Sequence, residues 1–276
     1  MKKEDITGMI VYVLILAVAI IFGLTVLQEF SKNANMDNGE FIGFILGAII
    51  SGVIFNALIF ELGHIIGAKI GRYEILSVNI LGFMFYKLDG KFKFKFSSYD
   101  GLTGETRINP KANVKKEPNP TPYLLFGTLL YIVELLAVLI LFSYFNSMKK
   151  ASFETAAYFL LVVATLGGLI LVYNMMPLKL DSMNDGYRLT LTTNSKNKIA
   201  FNELLRVENA IEAGDADIEV KTFEQITNFT ADLNLNKVYL LLEEKKYKEA
   251  EELLDLILSG KETLSQKTYI RARAQK

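Results

Sequence analysis

Hydrophobic positions in this chain come first in unbroken runs and only later in periods. Residues 6–28 carry no charged side chain, nor do 41–60 or 155–178, and 121–148 carry only Glu134. Each run reaches the roughly 20 apolar residues that cross a hydrocarbon core of about 30 Å. Buried strands and ordinary core helices do not need such lengths, so the runs predict four transmembrane helices. Between the second and third runs the period becomes two. "LSVNILGFMFYKLDGKFKFKFSS", residues 76–98, alternates apolar and polar positions, strictly so in "KFKFKF". With Asp89-Gly90 as the turn, residues 83–96 predict a β-hairpin. Residues 100–122, rich in Gly, Asn, Pro and Lys, read as a loop that the prolines from Pro110 to Pro122 end.

Beyond Leu178 the period is helical. Residues 199–213 and 232–258 place apolar side chains on one face, with charges between them. "VYLLLEEKKYKEAEELLDLIL", residues 238–258, resembles a helical hairpin of the tetratricopeptide type, with Tyr247 and Ala250 at the packing positions. A solenoid needs about three such repeats. One unit predicts a small helical cap or docking module.

Charge then sets the orientation. The chain balances 30 Lys+Arg against 30 Asp+Glu, so its sum says little and its distribution more. Residues 71–120 hold nine lysines and arginines: Arg72, Lys87, Lys91, Lys93, Lys95, Arg107, Lys111, Lys115 and Lys116. Lys2 and Lys3 begin the chain, whereas the opposite loops carry only Lys32 and the pair Lys149 and Lys150. The excess of basic residues marks the cytoplasmic side. The expectation is a multi-pass protein of the cell membrane with both termini in the cytoplasm. The first run exceeds the 7–15 apolar residues of a signal peptide and is expected to be retained. Cysteine is absent, which excludes disulfides and thiolate metal sites. No concentrated basic face points to nucleic acid, and the hairpin lysines suit the anionic surface of the lipid bilayer.

Two polar clusters interrupt the apolar runs. "IFELGHIIGAKIG", residues 59–71, holds Glu61 and the only histidine, His64, one helical turn apart. Charged groups inside a membrane cost at least about 2.5 kcal/mol on insertion scales, so they tend to mark function. The same stretch carries Gly63, Gly67 and Gly71, whose spacing also makes a helix-packing face. These residues alone leave both readings open. "YNMMPLKLDSMNDGYRL", residues 173–189, then places Asn174 and Pro177 at the end of the fourth run, with Asp185-Gly186 on a following turn. Glu61, His64 and Asp185 thus meet on one membrane face. An imidazole, a carboxylate ligand and a glutamate base are what zinc-assisted peptide hydrolysis requires.

"ELGHIIGA", a hairpin, two further crossings and "NMMP…NDGY" together resemble the site-2 protease (M50) family of intramembrane zinc metallopeptidases. The likeness spans residues 41–190. The first crossing and the soluble tail lie outside the shared core, and with the apolar runs the expectation is an all-α polytopic membrane protein of four transmembrane helices, with an inserted cytoplasmic β-hairpin and a small helical tail. Residues 1–40 would be a first transmembrane helix and external loop. The site-2-protease-like core would be 41–190, with spans 41–70, 122–146 and 155–178 and the hairpin at 83–96. Residues 191–276 would be the cytoplasmic tetratricopeptide-like tail. By the same resemblance the catalytic base is Glu61, the metal ligands are His64 and Asp185, and the hairpin presents the substrate strand.

The first histidine of the family's His-Glu-x-x-His motif falls here on Phe60, which has no lone pair to give. A catalytic zinc normally takes three protein ligands. Rescue would need Glu61, which would consume the base, or Asp181; the amide of Asn56 is a poor zinc ligand. Three readings follow. A pseudoprotease would bind a membrane peptide or transmembrane-helix client without cutting it. An atypical zinc peptidase would cleave it, with zinc as cofactor only in that case. A membrane adaptor would dock a soluble partner through the tail. Glu134, inside the third run, is either a hydrogen-bonded packing residue or a functional one.

Overall fold

In the computed structural model, which describes residues 3–33, 36–88, 91–98, 103–111, 116–148, 150–177, 183–214, 218–261 and 263–276, each uncharged run is a helix. They are α1 (Lys3–Asn33), α2 (Asn38–Ile70), α3 (Pro120–Ser147) and α4 (Ala151–Met175). All four are long and apolar enough to cross a membrane. Polar caps set the starts of two of them. Asp37 and Glu40 form a reciprocal capping box ahead of α2, and the Asn119 side chain accepts from Thr121 N ahead of α3. Large apolar side chains such as Val18, Ile50, Val133 and Ile140 point outward from the bundle. Four helices cannot bury all their apolar surface in one another, so the remainder faces whatever surrounds them.

Helices α2, α3 and α4 pack mutually, and α1 lies chiefly on α4. The glycine spacing read from the sequence is a packing face, and α3 fills it. A β-carbon on Gly63 would stand 2.5 Å from the α-carbon of Gly127, and one on Gly67 would strike the Pro122 carbonyl. The two backbones therefore touch, as small residues in apolar helices permit.

Four antiparallel strands follow α2: β1 (Tyr73–Ile80), β2 (Phe83–Leu88), β3 (Lys91–Phe96) and β4 (Gly104–Pro110), in the order β3-β2-β1-β4. The expected hairpin is β2 and β3, although its Asp89-Gly90 turn lies outside the described residues. A second two-residue turn, Leu81-Gly82, joins β1 to β2 with φ of 51° and 92°, the left-handed pair that fits strand twist. The expectation of a loop over 100–122 is corrected by β4. Its Ile75–Ile108 and Val78–Thr106 pairings to β1 are long-range, and Pro110 is tolerated because it sits at the last position of an edge strand.

Helices α5 (Asp185–Thr192), α6 (Ser195–Glu212), α7 (Asn228–Glu243), α8 (Tyr247–Ser259) and α9 (Gln266–Gln275) complete the chain. Tyr73 and Ile108 of the sheet, Leu124 of α3, Phe201, Leu204 and Val207 of α6 and Phe229 and Leu233 of α7 form one core. The tail is thus packed onto the sheet and the start of α3. A second core joins α7, α8 and α9 through Leu235, Val238, Leu254, Ile257 and Ala272. Ala250 is buried as expected, but Tyr247 is 63% exposed. Lys245, at φ 60°, turns the chain so that Tyr247 merely opens α8, and the buried stripe is Ala250, Leu254 and Ile257.

Candidate functional site

Glu61 and His64 project from the C-terminal half of α2, one turn apart, and are 1% and 4% exposed. Each is held by a group from another element. Thr106 of β4 donates its hydroxyl to Glu61 Oε2 at 2.6 Å, while Oε1 meets no hydrogen-bond partner among the described residues. His64 Nδ1 lies 2.9 Å from the Tyr123 carbonyl. A carbonyl can only accept, so Nδ1 carries the proton and Nε2 is turned the other way. Tyr123 closes the triangle by donating its own hydroxyl to the Thr106 carbonyl at 2.8 Å.

Asp185 reaches this corner through α5. The expected turn at Asp185-Gly186 is instead the first turn of that helix, because Asn184 caps it by accepting from Tyr187 N at 2.9 Å. The Asn184 amide also donates to the carbonyls of Tyr173 at 2.6 Å and Met176 at 2.5 Å, which fastens α5 to the end of α4. Gly186 allows the fit, since a β-carbon there would stand 2.7 Å from the Met175 carbonyl carbon. The outcome is that Asp185 Oδ2 sits 3.3 Å from His64 Nε2. Both atoms are lone-pair donors when the imidazole is neutral and Nδ1-protonated. Their contact therefore calls for something positive between them, a proton on Nε2 or a cation.

The structure thus brings His64 and Asp185 into contact from α2 and α5, with Glu61 one helical turn from His64. Among the described residues the donor set falls short of a zinc site. A tetrahedral zinc site with bonds of about 2.0–2.2 Å needs a third protein donor beside the two. At that corner stands the Phe60 ring, edge-on to His64 with centroids 4.5 Å apart and stacked on Tyr131 at 5.2 Å and 19°. A β-carbon on Gly127 would lie 2.7 Å from the Phe60 ring and 3.2 Å from His64 Nε2, so the ring and the imidazole close on the same small space. Among the described residues no three His, Cys, Asp or Glu side chains gather as a metal ion requires. Asp181, the other candidate ligand, lies outside the described residues.

Asn56 is a cross-brace and not a ligand. Its amide nitrogen donates to Gly52 O at 2.7 Å and to Val163 O at 3.1 Å, joining α2 to α4, and Tyr131 donates its hydroxyl to the Asn56 carbonyl at 2.9 Å. Glu134 is buried, and neither carboxylate oxygen has a hydrogen-bond partner among the described residues. The expectation of a hydrogen-bonded packing residue therefore finds no partner to support it.

Sequence reasoning passed over Thr106 and Tyr123, which orient the two α2 side chains. Thr106 had a faint signal, since it alternates with Ile108 between Glu105, Arg107 and Asn109. Tyr123 acts partly through its backbone carbonyl, which no residue pattern advertises. Outside the helices long enough to span a membrane, Tyr73 donates its hydroxyl to Asn202 Oδ1 at 2.5 Å, and burial pushes that phenol up, so it stays a neutral donor between sheet and tail. No family model, curated protein or solved structure matches the chain.

Proposed function

We propose that the chain is a multi-pass protein of the cell membrane with a site-2-protease-like core, its termini, sheet and tail lying on the cytoplasmic side. In this reading it binds a membrane-embedded peptide or the end of a client transmembrane helix and does not cleave it. The observation that carries the proposal is Phe60. It stands where the resemblance requires a histidine ligand, and its packing against Tyr131 and His64 makes it part of the bundle's interior. A site that retains Glu61, His64 and Asp185 but replaces one ligand by a packed aromatic ring keeps the shape of a peptidase and loses its metal. Strand β3 offers the complementary feature. Its outer edge pairs with nothing among the described residues, and an extended peptide can add to such an edge through backbone hydrogen bonds.

One observation favours a second reading, that of an active zinc peptidase. The 3.3 Å gap between His64 Nε2 and Asp185 Oδ2 also suits two ligands of one tetrahedral ion, whose edges run about 3.3–3.6 Å for the bond lengths given above. Elemental analysis of the detergent-purified protein separates the two. The expected result is no zinc in the wild type and close to one per chain in Phe60→His, lost again in Phe60→His/His64→Ala. Stoichiometric zinc in the wild type, abolished by His64→Ala, would overturn the pseudoprotease reading and install the peptidase.

A further inference from the structure

We infer that the β2–β3 hairpin lies flat in the membrane interface, its phenylalanine face in the acyl chains of the cytoplasmic leaflet and its lysines among anionic headgroups. The register carries the argument. Partnered residues of an antiparallel ladder project from one face. One row of partners crosses the whole sheet: Thr106, Val78, Phe85 and Phe94. A second row two residues away runs Gly104, Ile80, Phe83 and Phe96. Thr106 bonds to Glu61, so the face that carries Phe83, Phe85, Phe94 and Phe96 is the face turned towards α2.

Depth follows from the same contact. Glu61 lies nine residues before Ile70, the last residue of α2, or about 13 Å at 1.5 Å per residue. The sheet therefore does not hang below the helix. It stands beside the last turns of α2, where Leu58, Leu62 and Ile70 are exposed, and it extends that apolar surface sideways. On the outermost strand Phe92 is 84% exposed and Phe96 73% exposed. Water is a poor surrounding for five aromatic rings on one small face.

The opposite face supplies the charge. Lys91, Lys93 and Lys95 alternate with the phenylalanines and share their face with Met84 and Tyr86, over whose ring Lys95 sits at 5.3 Å. Near an anionic leaflet each such lysine is drawn to the headgroups. Lys87, paired with Phe92 on the aromatic face, has a stem long enough to lead its ammonium back to the headgroups. The free edge of β3 limits the depth. Its outward amides and carbonyls need water or headgroups as partners, so the strand rests at the interface and goes no deeper. The occupant of the aromatic face is the lipid itself, as the apolar continuity with α2 and the lysine pattern require. This inference rests on the chain spanning the membrane, and it holds whether the core binds a peptide or cuts one.

The chain contains no tryptophan, so Phe92→Trp has a single indole reporter at an exposed position that packing does not constrain. The full chain would be reconstituted in phosphatidylcholine vesicles with and without phosphatidylglycerol. With phosphatidylglycerol present, the expected result is blue-shifted emission, loss of most of it to acyl-brominated lipid, and little loss to aqueous iodide. Removing phosphatidylglycerol, or adding Lys91→Gln, Lys93→Gln and Lys95→Gln, should move the indole towards iodide. Iodide quenching in both lipid mixtures overturns insertion. Shielding from both quenchers overturns it too, since a second copy or a bound peptide would then cover the face. Bromine quenching that ignores phosphatidylglycerol and the lysines overturns the headgroup contact.

Discussion

The two edges of the small sheet, six residues in β3 and seven in β4, have opposite fates. Strand β4 is tied down from three sides within three residues. Thr106 bonds to Glu61 of α2, and its carbonyl takes the Tyr123 hydroxyl of α3. Arg107 bonds to Asn209 at 3.0 Å and pairs with Glu212 of α6, and Asn209 donates to the Ile108 carbonyl at 2.8 Å. Strand β3 has every residue exposed and, among the described residues, pairs only with β2. One sheet thus has a structural margin and an open margin. Alternation along a strand is a local property, and it reveals neither margin's role. What decides is which long-range partner each strand reaches.

The contrast is open to breakage in descending order. Thr106→Val keeps the shape but removes the hydroxyl, leaving both Glu61 oxygens buried without a partner. The expected cost is about 1–3 kcal/mol, read as a lowered midpoint of thermal unfolding in detergent, and an unchanged midpoint would mean that β4 does not brace the site. Arg107→Ala removes an ion pair whose glutamate is largely exposed, so it should cost about 1 kcal/mol or less. Limited proteolysis should show it as faster cutting between sheet and tail, with the helices intact. On the other margin, Phe92→Ser should leave the detergent midpoint within about 0.5 kcal/mol of the wild type. A drop as large as that of Thr106→Val would erase the distinction between the margins.

Much of this architecture was legible in the residues, because it depends on composition. A run such as 41–60 without one charge has few alternatives to a long apolar helix, and its helix, α2, forms from Asn38 to Ile70. The meeting of Glu61, His64 and Asp185 was legible for a related reason, since polar groups in apolar runs gather where they can satisfy one another. Strand β4 was not. "GETRIN" has alternation, but its buried side is only Thr106 and Ile108, and its neighbouring glycines, asparagines and prolines resemble a loop. What makes it a strand is β1, some thirty positions earlier. Tyr247 misled in the other direction. Its place in a familiar helical pattern suggested packing, while the turn at Lys245 set the helix face one residue class away.

The backbone contact between α2 and α3 has a mechanical consequence. A screw motion of α2 by one residue, about 1.5 Å along its axis and about 100° around it, would bring Leu62 or His64 to the point where Gly63 now meets Gly127, and no side chain can stand there. The backbone fit therefore resists screw motion between the two helices. Compliance within the bundle then falls to α1, which rests on α4 through side chains such as Tyr12 against Tyr173 and can rock without breaking a backbone fit.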